Sequence, residues 1–128
     1  MKFCWSTLKV KNLNDSIAFY EEVIGLNVKR RFHAGPDTEI AFLGEGETQV
    51  ELIEGKEKNE ISVGPDISWG FQVESLEEMM ELLKMKGIEI IEGPYSPNPL
   101  TSFIYILDPN GLKIQLVEMK TESRGEFL

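Results

Sequence analysis

Residues 107–118 read Leu107-Asp108-Pro109-Asn110-Gly111-Leu112-Lys113-Ile114-Gln115-Leu116-Val117-Glu118. Pro109 presets φ at the first corner of a turn, and Asn110-Gly111 supplies the positive φ that closes it. Beyond the turn Ile114 and Leu116 alternate with Lys113, Gln115 and Val117, the pattern of a strand with one apolar face. The run Gln49-Val50-Glu51-Leu52-Ile53-Glu54 has the same shape at an offset of 64, with Glu51 against Gln115 and Glu54 against Glu118. Leu8-Lys9-Val10-Lys11-Asn12-Leu13 matches Phe71-Gln72-Val73-Glu74-Ser75-Leu76 at an offset of 63. Two offsets that agree to within one residue mark one module written twice.

Each copy reads β-α-β-β-β. In the first, a strand over 3–10 leads to a helix capped by Asn14 or Asp15, with Ile17, Phe19 or Tyr20, Val23 and Ile24 inward and Gly25 as its stop. Strands over 26–32, 39–43 and 49–53 follow. In the second, a strand over 67–73 precedes a helix with Ser75 and Glu78 as a capping box and Leu76, Met79, Leu82 and Leu83 inward. Strands over 88–91, 102–107 and 112–117 complete it, and Pro94, Pro97 and Pro99 make 93–100 an irregular loop. The first module covers about 1–54, a charged linker about 55–66 and the second module about 67–119, together one domain, with 120–128 a loose tail.

The chain of 128 residues is 41% apolar and carries a formal net charge of -9, so it lacks the basic footprint on which nucleic-acid binding rests. No run approaches the roughly 18 apolar residues of a membrane span, and the N-terminus does not read as a signal peptide. The expectation is a cytoplasmic protein with no membrane partner. A single cysteine, Cys4, fits a reducing compartment, and its position reads as the buried side of the first strand.

Helices cover one side of each sheet, and Leu8, Val10, Val50, Leu52, Phe71, Val73, Ile114 and Leu116 form the natural helix side. By alternation the other side carries Trp5, Thr7, Gln49, Glu51, Ile53, Ser68, Gly70, Gln72, Lys113, Gln115 and Val117. Two curved half-sheets with such mixed faces would enclose a cup suited to a small molecule.

The doubled β-α-β-β-β, the Asn12-Leu13-Asn14-Asp15-Ser16-Ile17-Ala18-Phe19-Tyr20 stretch running on to Gly25-Leu26, and the closing Asp108-Pro109-Asn110-Gly111 resemble the vicinal-oxygen-chelate superfamily. That group holds glyoxalase I, bleomycin-resistance proteins, fosfomycin-resistance enzymes and extradiol dioxygenases. The resemblance implies an α+β fold of two tandem βαβββ modules, a curved mixed-sheet cup with helices outside. It also implies a homodimer. Metal enzymes of the family carry four ligands, one on the first and one on the last strand of each module, usually His and Glu. Those positions fall here on Trp5, Glu51, Ser68 and Gln115, of which only Glu51 is a competent ligand. The only histidine, His33, is not at a ligand position. No cofactor is therefore expected, and a divalent metal is disfavoured.

Trp5 offers a flat surface for a ligand or a plug for the cup. Glu51, walled by Trp5 and Ile53, reads as a candidate base or hydrogen-bond anchor, or else as a carboxylate satisfied by Gln115 or Ser68. Thr7, Ser68 and Gln115 can both donate and accept, and Phe103 and Tyr105 lie one strand away. Three functions compete: a metal-free binding module for a small organic molecule, a lyase or isomerase of the glyoxalase I type with Glu51 as base, and a structural protein whose cup is filled by its own side chains. A neutral or cationic ligand is favoured, because only Lys9 and Lys113 stand near Glu51 to balance negative charge.

Overall fold

A computed structural model describes residues 1–120 and divides the chain into two units, Met1–Val63 and Gly64–Leu128. The first unit runs β1 (Trp5–Lys9), α1 (Leu13–Phe19), a π-helical turn (Tyr20–Ile24), β2 (Val28–His33), β3 (Glu39–Leu43) and β4 (Gln49–Glu54), followed by a 3-10 turn at Lys58–Glu60. The second runs β5 (Ser68–Gln72), α2 (Leu76–Met85), β6 (Glu92–Asn98), β7 (Thr101–Leu107) and β8 (Lys113–Met119). The sheets are ordered β1-β4-β3-β2 and β5-β8-β7-β6, each with one parallel pair between its first and last strands. This is the tandem β-α-β-β-β, with Leu8 opposite Leu52 and Phe71 opposite Leu116 as the two offsets require.

Apolar alternation places the cores. Leu8, Val10, Ala41, Leu43, Val50 and Leu52 are buried with Leu13, Ile17, Phe19, Tyr20 and Val23 of the helical segment. In the second unit Ile104, Ile106, Leu112, Ile114 and Leu116 are buried with Leu76 and Leu83, while Phe71, Val73, Met79 and Leu82 are only half-buried.

Several local expectations are corrected. The cap of α1 is Asn12, not Asn14 or Asp15: its side chain accepts the Asp15 N–H at 2.9 Å, and Glu54 Oε1 accepts the Leu13 N–H at 2.7 Å. Phe19 and Tyr20 are both inward, because the π turn widens the helix and lets adjacent rings share one face, 5.0 Å apart and edge-on. Cys4 is exposed, since it precedes β1 and strand alternation does not reach it.

The larger correction concerns 88–100. Residues 88–91 form no strand, and the proline-rich segment expected as a loop is β6. β6 is an edge strand that pairs with β7 alone, so its prolines withhold donors from no second neighbour. Pairing is interrupted, touching at Glu92–Tyr105, Tyr95–Phe103 and Asn98–Thr101. Gly93 is required there, because a Cβ would lie 2.9 Å from the Phe103 carbonyl oxygen.

The 108–111 turn forms with Gly111 alone at positive φ, +90°; Asn110 stays out of that region and is buried. Its driver is Asp108, whose Oδ1 accepts the N–H groups of Asn110 and Leu112, both at 2.8 Å. Among the described residues no helix is long and apolar enough to cross a membrane. The tail expectation, from residue 121 on, lies outside the described residues.

Candidate functional site

The strand face away from the helix in the first unit is organised by register. One row across the sheet is Thr7, Glu51, Phe42 and Arg30, on β1, β4, β3 and β2 respectively. Thr7 Oγ1 donates to Glu51 Oε1 at 2.5 Å, so the carboxylate is held by a neighbour on its own sheet. The Phe42 ring meets Trp5 edge-on at 5.2 Å and lies 6.3 Å from a near-parallel Phe32. Trp5 is 46% exposed and Phe42 only 4%, so Trp5 is the open aromatic and Phe42 its floor. A cavity of about 310 Å³ opens toward one end of this face, where Lys9 and Ile53 meet Pro36, Thr38, Lys56 and Ile61.

The second unit repeats the row as Gly70, Gln115, Tyr105 and Glu92. Gln115 Nε2 donates to the Tyr105 hydroxyl oxygen at 3.3 Å, and a Cβ on Gly70 would crowd Gln115 Oε1 at 3.2 Å. Lys113 reaches across the Tyr105 ring, 4.3 Å from its centroid, to Glu92 Oε2 at 2.8 Å. The hydrogen bond from Lys113 holds the Glu92 carboxyl below its ordinary range, and the same bond raises Lys113. Phe103 stands edge-on to both Tyr95 and Tyr105, at 5.5 and 5.7 Å. Ser68 is exposed, opposite Lys113 in register.

The expected site residues thus gather within their own halves: Trp5, Thr7 and Glu51 on one face, Ser68, Phe103, Tyr105 and Gln115 on the other. Within its own unit, Glu51 accepts the Thr7 hydroxyl. The indole of Trp5 has no lone pair for a metal. Among the described residues no three His, Cys, Asp or Glu side chains gather where they could hold an ion. His33 ends β2, exposed and opposite Glu39, whose carboxyl is lowered chiefly by its hydrogen bond from Arg31.

Sequence reasoning missed Arg30 and Glu92. Arg30 lies in the run Lys29-Arg30-Arg31, where the register is shifted between Val28 and Arg30, a local irregularity that a strand pattern does not show. Glu92 was hidden by the misplaced strand.

A family model described as the Glyoxalase/Bleomycin resistance protein/Dioxygenase superfamily matches residues 4–116. The chain is 30% identical over 138 residues to lactoylglutathione lyase of Escherichia coli O157:H7, covering 98% of each. It is 48% identical over 52 residues to the uncharacterized protein YwbC of Bacillus subtilis, spanning only 38% of this chain and 41% of that protein. Among solved structures it superposes on the trypanothione-dependent glyoxalase I of Leishmania major with a TM-score of 0.81 at 22% identity, covering 99% of this chain and 91% of that one. An antibiotic binding protein from Streptomyces has the same fold, with a TM-score of 0.71, 15% identity and coverage of 94% and 97%.

Proposed function

We propose, from the premise that this chain belongs to the Glyoxalase/Bleomycin resistance protein/Dioxygenase superfamily, that it binds a small organic molecule against its strand faces without the help of a metal ion. The observation that carries this reading is the donor set. The resemblance to the family's metal enzymes implies ligand positions at Trp5, Glu51, Ser68 and Gln115, and neutral oxygens with one carboxylate do not fit a divalent ion that prefers imidazole, thiolate or several carboxylates. Glu51, the one charged donor, already accepts the Thr7 hydroxyl.

What remains is recognition chemistry. Trp5 supplies an exposed flat surface, and Thr7, Glu51, Gln115 and Tyr105 supply hydrogen-bonding groups fixed by their neighbours. A second reading is favoured by the 30% identity to lactoylglutathione lyase along 98% of the chain: a lyase or isomerase in which Glu51 is the base. We also propose a cytoplasmic homodimer, in which the exposed edge strands β1, β2, β5 and β6 gain cover.

The test is elemental analysis of protein purified without chelator, with thermal melts across divalent ions and an assay of lactoylglutathione lyase turnover. The expected result is no stoichiometric metal, no ion-dependent shift and no turnover. Metal near one per chain with turnover abolished by Glu51→Gln would overturn the binding reading in favour of the second. Size-exclusion at two concentrations checks the dimer.

A further inference from the structure

β2 carries three consecutive cations, and two of them are spoken for. Lys29 Nζ donates to Glu45 Oε1 at 2.5 Å, and Arg31 donates to Glu39 Oε2 and Asn14 Oδ1, both at 2.7 Å. Arg30, over the ring of its register partner Phe42, has no carboxylate partner among the described residues. Its guanidinium lies instead 4.4 Å from the Phe42 ring centroid and 5.6 Å from that of Phe32. A guanidinium over an aromatic ring is held by cation–π attraction, which consumes none of its N–H donors. The side chain is thus held in place by the two rings while its hydrogen-bonding edge stays open.

An uncompensated cation is notable on a chain with a net charge of -9, where acidic partners abound. The anion that shares its row, Glu51, lies two strands away, roughly 10 Å by strand spacing, and is occupied by Thr7. Phe42 lies between them in the row, and its ring neighbours Trp5 and Phe32 are 46% and 39% exposed.

We propose that Arg30 is a specificity residue for a flat, aromatic carboxylate. Its open edge takes the carboxylate through two parallel N–H donors, and the ligand's apolar body rests on Trp5 and Phe32. This inference rests on the small-molecule reading above and names the ligand class for the same face. It reverses the expectation of a neutral or cationic ligand, which counted only Lys9 and Lys113 as available cations.

The test uses three probes of one shape: naphthoate, naphthamide and naphthylmethylamine, followed by nitrogen–proton correlation spectra of the Trp5 indole and Arg30 Nε–H signals. Naphthoate is expected to bind about tenfold tighter than naphthamide. That preference should disappear in Arg30→Gln, survive in part in Arg30→Lys and weaken with added salt. Equal binding of acid, amide and amine, or a preference for acid unchanged in Arg30→Gln, overturns the carboxylate assignment and leaves the small-molecule reading standing. No binding of any probe overturns the assignment as well, and failure of a wider neutral and cationic screen then sinks the small-molecule reading.

Discussion

Glu118 Oε1 accepts the backbone N–H of Leu76 at 2.7 Å, so the last strand of the second unit caps the first residue of its helix. Glu54 does the same for Leu13, at the same length. The first N–H groups of a helix have no partner within the helix, and a carboxylate there also meets the positive end of the helix dipole. Because each bond joins residues about forty positions apart, it ties helix to sheet and not merely helix to loop.

Removing either acceptor is therefore expected to loosen one helix. Glu118→Ala should lower unfolding free energy in urea by about 1 kcal/mol, and Glu118→Gln by less, since the amide oxygen still accepts. Equal stability of Glu118→Ala and the parent would show that the cap contributes nothing in solution.

The turn at Asp108 is expected to be more sensitive. Its carboxylate satisfies two buried N–H groups, so Asp108→Ala should cost about 2 kcal/mol or more, measured by the same denaturation. Gly111→Ala forces a Cβ at φ +90° and should cost about 1 kcal/mol.

Glu92 and Lys113 give the structure a pH signature. A carboxyl lowered by its partner favours the fold above its unfolded-state pKa, and that contribution fades as pH falls through the folded value. A raised ammonium favours the fold below its unfolded-state pKa, fading as pH rises through the folded value. Between those limits both contributions are present. Carboxyl-carbon titration by nuclear magnetic resonance should find the Glu92 midpoint moving upward in Lys113→Gln. A midpoint indifferent to that substitution means the pair does not persist in solution.

Trp5 separates stability from recognition. With nearly half its surface already exposed, Trp5→Leu should change stability by less than about 1 kcal/mol, whereas probe binding on that face should fall severalfold. A large loss of stability with binding intact would make Trp5 a packing residue.

How much of this was legible in the sequence depends on how far away each decision is made. The 108–111 turn and the alternation around Ile114 and Leu116 are local, and both offsets survive in the strand pairing. Asn12, Asn14 and Asp15 are all competent caps, and the choice of Asn12 goes with the Glu54 bond to Leu13, invisible to a local pattern. Whether Pro94 and Pro97 can sit in a strand depends on that strand lying at an edge, which only the assembled sheet decides. The hydrogen bond between Thr7 and Glu51 joins two strands far apart in sequence, which alternation along either strand does not reveal. Arg30 was missed because charge was counted along the chain, while the partners that occupy Lys29 and Arg31 come from elsewhere.

The π turn at Tyr20–Ile24 absorbs a difference in length between the two modules. The stretch from Leu13 to its glycine stop at Gly25 is one residue longer than that from Leu76 to Gly87, and a single inserted residue is what a π turn accommodates. A length change inside a helix ordinarily rotates every side chain downstream of it off its face. Swelling one turn confines that rotation, leaving the Asn12 and Ser75 caps and the glycine stops Gly25 and Gly87 in matching roles.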